Sequence, residues 1–297
     1  MKLNVIIPSY RAKATIADTI NSVWNNREFS GEFDITVVDS SDDDTAEVAG
    51  SLGIPVRIIK LTEKAFPGAS RNRGVEATQG DIICFIDADA VADENWLSEI
   101  HKYLENNPDV AAVGGPILNA NPDEGYSRLA HWCEFSGFGL HAPTGPRNVQ
   151  PTVNLAIRRS AFEKYGPFLE EQFGNEDVLL IQRIRDAGEQ LHFTPEIKVY
   201  HRNKTTLAAI NRHQWILGNC TGRAAVLYKL TGSILARRGG SYPIPFIKTW
   251  FILWRVISQE PHELPSFLVY LPRVFMAMGS YARGFRHGVK SALKEKK

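Results

Sequence analysis

The stretch that most constrains this chain is Asp81–Ala90, DIICFIDADA. Five consecutive apolar residues, Ile82 to Ile86, follow Gly80 and run straight into Asp87-Ala88-Asp89. So short an apolar run, rich in β-branched and aromatic side chains, reads as a strand covered on both faces. If the chain turns where it ends, both carboxylates reach the edge of a sheet. Open α/β sheets bind ligands beyond the carboxyl ends of their strands. Two carboxylates there repel each other unless a cation lies between them, and hard oxygen ligands favour Mg²⁺ or Mn²⁺. Taken alone, the motif also fits a plain strand-to-helix connection, with Asp89 or Asp93 capping a helix that begins near Glu94.

The segments before it repeat one pattern. Leu3–Pro8, Phe33–Val38 and Val56–Leu61 are apolar, β-rich runs. Between them, Ala12–Asn25 has helical spacing through Ile16, Ile20, Val23 and Trp24, and Ala46–Leu52 follows a cap at Asp44 or Thr45. Pro67-Gly68 breaks the chain before a helix over Ala69–Thr78. Strands alternating with helices of this size imply an α/β fold, a mainly parallel sheet with helices on both faces. The first strand-to-helix turn lacks both G-x-G-x-x-G and the P-loop pattern, so neither a dinucleotide-binding nor a P-loop domain is expected.

Beyond the central strand, Trp96–Asn106 is a helix, Val110–Gly114 a strand, and Pro116–Arg147 a long segment with glycines and aromatics. Pro151–Arg158 reads as a strand and Ser160–Tyr165 as a helix. Glu176–Ala187 is a helix closed by Gly188, and Gln190–Phe193 and Lys198–Tyr200 are strands, the second delivering His201. Charge is unevenly spread: residues 223–297 carry 13 Lys/Arg against 3 Asp/Glu, whereas the preceding 222 residues carry 21 against 30. A basic tail of this kind suits an anionic partner. After Gly239 the apolar groups Trp250–Ile257 and Phe267–Met278 are interleaved with Lys248, Arg255 and Arg273, and Pro265 and Pro272 are expected to limit helix length. A spanning helix needs ~20 predominantly apolar residues. The tail therefore reads either as an interfacial amphipathic region on an anionic membrane or as a helical hairpin packed on the core or forming a homodimer. Cys84, Cys133 and Cys220 form neither a metal spacing nor a disulfide framework, and the start of the sequence lacks a leader pattern, so a cytoplasmic chain is expected. No nucleic-acid partner is expected.

Six segments in this order, VIIPSYRA (5–12), VVDSSDDDT (37–45), PGASRNRG (67–74), FIDADA (85–90), NLAIRRSAF (154–162) and GNEDVLLIQRIRDAG (174–188), resemble the inverting family 2 glycosyltransferases, whose fold is of GT-A type. The resemblance covers about residues 3–220. It departs at the second segment, where Ser40 replaces a second aspartate and no glycine follows, and it lacks the Q-x-x-R-W motif of processive synthases, of which His213-Gln214-Trp215 is a faint echo. The implied organisation is a catalytic domain over 1–222, with a nucleotide-sugar half over 1–115 and an acceptor half over 116–222. A basic helical region over 223–297 would bind a membrane or form a dimer, at the inner face of the plasma membrane in the first case.

The resemblance implies a nucleotide-sugar donor, most simply a UDP-sugar, and a glycan, lipid-linked or small-molecule acceptor. Asp39 would accept the N3–H of a uracil-like ring, with Pro8, Tyr10, Arg11 and Ser41 lining that pocket. Gly68 would let the backbone approach the ligand, and Arg71 and Asn72 would face the nucleotide. Asp89 would ligate Mn²⁺ or Mg²⁺ directly, Asp87 would hold the ribose or a metal-bound water, and His201 would be a third ligand. Asp177 would be the general base, with Glu176 touching a sugar, and Asn154 and Trp215 would belong to the acceptor side. Two alternatives from other classes are a haloacid-dehalogenase-like phosphatase, which also has a strand ending in D-x-D, and a non-catalytic nucleotide-sugar-binding protein.

Overall fold

The computed structural model describes residues 1–26, 29–171, 174–228, 230 and 240–296. In chain order the elements are β1 (Leu3–Ser9), α1 (Ile16–Trp24), β2 (Phe33–Asp39), α2 (Thr45–Gly50), β3 (Val56–Lys60), α3 (Pro67–Glu76) and β4 (Ile82–Ile86). There follow β5 (Ala90–Ala92), α4 (Trp96–Asn106), β6 (Val110–Gly114), β7 (Ile117–Asn119), α5 (Ser127–Phe135), β8 (Gly145–Pro146), β9 (Asn154–Arg158) and α6 (Arg159–Tyr165). The last are α7 (Glu176–Asp186), β10 (Gln190–Phe193), β11 (Val199–His201), α8 (Leu207–Leu227), α9 (Ile244–Gln259) and α10 (Leu264–Glu295). The chain divides into two compact units: Met1–Ala120 with Pro143–His201, and Asn121–Ala142 with Arg202–Lys297. Residue 222, where the sequence suggested a division, lies inside α8. Gly239, after which a change of character was expected, lies outside the described residues.

The first unit holds an eight-stranded sheet in the order β3-β2-β1-β4-β9-β6-β10-β8. Strands β3, β2, β1 and β4 are parallel, β9 runs antiparallel to both β4 and β6, and β10 is parallel to β6. β4 is buried along its whole length, as its unbroken apolar run requires. Ile6, Ile83, Phe85, Leu155 and Ile157 from the sheet pack with Leu180, Ile181 and Ile184 of α7. A second sheet, β5-β11-β7, pairs His201 with Ala90 across an antiparallel ladder, placing the end of β11 beside the turn that follows β4.

α1 begins at Ile16, four residues later than helical spacing suggested. Arg11 has φ 53°, and the turn is pinned to the neighbouring β2–α2 turn: Arg11 N–H donates to Ser41 Oγ and Ala12 N–H to Thr45 Oγ1. Asp44 occupies the cap position of α2 without a side-chain capping bond; Asp43 instead accepts the Thr45 N–H at 3.1 Å. Pro67 stands inside α3 rather than ahead of it, in the first turn, where a missing N–H costs nothing.

The second unit is helical. Leu129 and Trp132 of α5, Ile210 of α8, Ile252 and Val256 of α9, and Phe267, Val274 and Met278 of α10 share one apolar core. α10 runs through Pro272, correcting the expectation that this proline ends a helix. Pro272 lies on an exposed face, and packing of the opposite face holds the helix continuous across it. α8 and α10 approach at Gly218, Gly222, Gly284 and Gly288. A Cβ on any of the four would stand 2.0–2.2 Å from a backbone oxygen of the other helix. Among the described residues no helix is long and apolar enough to cross a membrane.

Candidate active site

Parallel strands β1, β2 and β4 end side by side, Ser9 in register with Asp39, so their following turns gather polar side chains at one sheet edge. Asp39 is wholly enclosed. Its Oδ1 accepts from Ser9 Oγ at 2.8 Å and from the Ser41 hydroxyl, and its Oδ2 accepts from Lys60 Nζ at 2.7 Å. Burial pushes this carboxyl up, but the Lys60 ammonium and the serine hydroxyls outweigh it and hold the acid below its ordinary range. Lys60 was not singled out from sequence, although β3 places it opposite Asp39 in register. A lysine at the end of a half-exposed strand looks like ordinary surface until the pairing is known.

Tyr10 is exposed beside this cluster, with Lys64 Nζ 4.3 Å and the Arg11 guanidinium 5.4 Å from its ring centroid. The Arg11 side chain turns outward to grip Asp42 through two bonds of 2.7 and 2.8 Å, which holds Asp42 down at about 2. Pro8 sits within β1, half-buried.

The turn after β4 carries Asp87 and Asp89. Asp89 Oδ1 lies 3.4 Å from His201 Nε2. Asp87, Asp89 and His201 each offer a ligand atom within 4.8 Å of the others. Two carboxylates and one imidazole form a hard, mainly oxygen donor set that fits a divalent cation of the Mn²⁺ or Mg²⁺ kind. Asp89 is half-exposed while His201 is nearly buried, so the set is open on the carboxylate side.

Arg71 joins this cluster to a second acidic pair. Its Nη2 donates to Asp87 Oδ1 at 2.8 Å and its Nη1 to Glu176 Oε1 at 2.7 Å, and the side chain is almost fully buried. Burial works against the guanidinium charge, yet Asp87, Glu176 and Asp177 more than offset it and keep the group firmly protonated. Glu176 is itself buried, and among the described residues its Oε2 has no hydrogen-bond partner. Burial, then the Asp177 charge, push its carboxyl up to about 7 despite Arg71. Asp177 is half-buried; Val178 N–H donates to its Oδ1 at 2.7 Å and Thr152 N–H to its Oδ2 at 3.4 Å. Desolvation raises it too, with Arg71 opposing. Both acids open α7 because the chain enters it through Gly174 (φ 88°) and Asn175 (φ 66°), a left-handed pair that turns the backbone sharply.

Three residues expected to meet ligands are occupied by the frame. Asn72 donates to the Phe168 carbonyl and to Glu170, and accepts from Phe168 N–H, which pins the loop before α7 onto α3. Gly68 leaves room for that loop: a Cβ there would lie 2.3 Å from the Leu169 oxygen. Asn154 is completely buried, donates to the Pro116 and Ile197 carbonyls and accepts from Trp96 Nε1. Its amide ties β9 to neighbouring loops and leaves nothing for an acceptor. Trp215 belongs to α8 in the second unit, where its ring lies 5.3 Å from that of His287.

A mixed sheet with polar turns at its carboxyl edge, a D-x-D cluster and an acidic helix start define a GT-A type fold. The family model for glycosyl transferase family 2 matches residues 4–166, and the chain belongs to that family. It is 29% identical over 199 residues to glycosyltransferase AglE of Haloferax volcanii, covering 66% of this chain and 65% of AglE, so it spans just under two thirds of that relative. It is 25% identical to the glucosyl-dolichyl phosphate glucuronosyltransferase of the same organism (68% of this chain, 69% of that one). It is 28% identical to the O-antigen chain rhamnosyltransferase RfbN of Salmonella typhimurium (69% and 68%). Among solved structures it resembles the mannosyltransferase PcManGT from Pyrobaculum calidifontis in complex with GDP-Man and Mn²⁺ (TM-score 0.65, 17% identity, 99% of this chain and 88% of that one). It also resembles S. aureus TarS 1-349 in complex with UDP-GlcNAc (TM-score 0.59, 15% identity, 100% and 93%). The family match displaces the phosphatase alternative.

Proposed function

We propose that this chain transfers a sugar, in the simplest case a hexosyl unit from a UDP-sugar, to an acceptor hydroxyl with inversion at the anomeric carbon. One observation carries the reading: Arg71 bonds at once to Asp87 of the cation-type cluster and to Glu176, the neighbour of Asp177. The cluster needed at the leaving diphosphate is thereby bonded, through one guanidinium, to the residue adjoining the group assigned to the attacking hydroxyl.

In this reading Asp39 and Lys60 face the base. On donor binding Asp39 exchanges one of its serine contacts for an imide N–H, and the Lys60 ammonium donates to the adjacent keto oxygen. Uracil, thymine and guanine present that pairing of groups, and cytosine does not. Asp87, Asp89 and His201 hold a divalent cation, Mn²⁺ or Mg²⁺, which supplies positive charge against the charge developing on the leaving diphosphate. Asp177 takes the acceptor hydroxyl proton. Its side chain is less deeply buried than that of Glu176, which suits contact with an incoming acceptor, and a raised pKa makes it a stronger base. Glu176 is clamped by Arg71 and more deeply buried, which suits orientation of a sugar better than proton transfer. The acceptor is a glycan, a lipid-linked glycan or a small molecule, and the chain acts in the cytoplasm as a peripheral protein at an anionic membrane.

The test is Asp177→Asn. Loss of a general base costs ~10²–10⁴-fold in kcat with little change in donor affinity, because the interaction belongs to the transition state. Retained turnover would move the base to Glu176, the next candidate, whose Oε2 has no partner among the described residues. A product of retained configuration would refute the single displacement. Donor binding without turnover in the parent chain, across a panel of acceptors, would favour the non-catalytic alternative.

A further inference from the structure

α9 is apolar on the side that faces away from its own core. Ile252, Val256 and Gln259 point inward, while the opposite face presents Phe246, Trp250 and Trp254 at 66%, 64% and 56% exposure, together with Ile247, Phe251 and Ile257. A helix facing water carries polar groups there; a helix apolar all round is covered by something. The first turns of α10 extend the same surface. Leu268, Val269 and Met276 are exposed, as are Pro265 and Pro272 on the same rows, and Phe275 meets Phe246 with ring centroids 4.9 Å apart.

What covers this surface is indicated by the rest of α10. The helix is continuous from Leu264 to Glu295, a length of about 48 Å at ~1.5 Å per residue. The rows that carry Leu268, Pro272 and Met276 continue, at three- and four-residue steps, as Arg283, Arg286, His287, Lys290 and Lys294. One outward face is therefore apolar over its first half and cationic over its second. Arg286 also stands over the ring of Tyr242, which is 69% exposed at the approach to α9. α9 contains no carboxylate, and α10 has one, Glu295, at its end. Tryptophan and phenylalanine beside a row of lysine and arginine match the two layers of a lipid leaflet, acyl boundary and anionic headgroup. A second copy of the chain would bring the cationic row against a surface of its own sign, unless that row were left outside the contact.

We propose that the α9 face and the outward face of α10 form a docking surface for an anionic lipid bilayer, with Trp250 and Trp254 inserted at the acyl boundary and Arg283, Arg286 and Lys290 on the headgroups. This is peripheral seating, since no described helix is long and apolar enough to cross a membrane. It stands independently of the chemistry at Asp177.

The experiment is co-sedimentation of the full chain with vesicles of phosphatidylcholine alone and of phosphatidylcholine mixed with phosphatidylglycerol. The chain is expected to sediment with the anionic vesicles and to be released partly by salt. Trp250→Ala with Trp254→Ala should lower the partition coefficient by on the order of tenfold or more. Arg283→Gln with Lys290→Gln should lower it about fivefold per charge on anionic vesicles only. All four positions are exposed or solvent-facing, so thermal unfolding should change little. Donor hydrolysis by the tryptophan variant should match the parent, which separates failure of docking from failure of the transferase reading. Two results overturn the proposal: a chain that stays in the supernatant with both vesicle types, or a dimer in solution that the tryptophan variant disperses while vesicle binding is absent.

Discussion

Glu176 offers a measurement that needs neither donor nor acceptor. Its carboxyl is displaced from 4.5 to about 7, chiefly by burial and next by the Asp177 charge. A folded-state pKa above the unfolded value means that the native chain holds a proton which the unfolded chain has released. The stabilisation is complete below 4.5 and is lost as pH rises from there to about 7, after which the penalty is constant. That displacement is worth about 3 kcal/mol, of which about 2 to 3 falls between pH 5 and 8. Glu176→Gln keeps the volume and an oxygen for Arg71, and removes the titration. In urea unfolding without divalent metal, the variant should therefore gain about 2 to 3 kcal/mol on the parent between pH 5 and pH 8. Groups away from this pair are common to both chains and cancel to first order; Asp177 titrates together with Glu176, so the comparison reads the titration of the pair. A difference between variant and parent that is the same at both pH values would refute the reasoning.

The glycines of α10 should separate into two kinds. Gly284→Ala drives a Cβ to 2.0 Å from the Trp215 oxygen and should destabilise by about 1–3 kcal/mol, whereas Gly279→Ala has its nearest neighbour at 3.8 Å and should stabilise by up to about 1 kcal/mol through helix propensity. Mn²⁺ and UDP should tighten each other's binding by the same factor in titration calorimetry; Asp89→Ala should abolish that coupling and His201→Ala should weaken it, with thermal unfolding little changed in the first variant.

Much of this was legible in the sequence because the first unit's elements carry local signals. β4 is an uninterrupted apolar run, and α4 and α7 begin where their apolar periodicity begins. Asp87 and Asp89 were nameable because motif and strand end coincide, and His201 through the family resemblance. What sequence could not show was occupancy. Asn72 and Asn154 look like binding residues until the carbonyls of Phe168, Pro116 and Ile197 are found on their amides. Lys60 looks like surface until β3 pairs with β2. α8 has weak amphipathic character, since its glycines close on another helix about 60 residues further along, and no local pattern reports such a contact. The helix through Pro272 was concealed for the same reason, because its continuity comes from the core against which it packs.

The charges of the site explain why cation and donor should bind together. Around Arg71 stand Asp87, Glu176 and Asp177, and Asp89 lies two residues beyond Asp87. One guanidinium, bonded through Nη1 and Nη2 to two of these acids, cannot also neutralise a diphosphate brought to the same edge. Lys60 and Arg11 are committed elsewhere, to Asp39 and Asp42. A polyanionic donor entering alone would meet net negative charge in a partly desolvated site, where Coulomb terms are strengthened. A divalent cation held by Asp87, Asp89 and His201 would change the sign of that encounter, the charge on which the proposed function relies. Arg71 then has a second consequence. Because it bonds to both Asp87 and Glu176, any movement of Asp87 toward a cation would act on Glu176 through the same guanidinium.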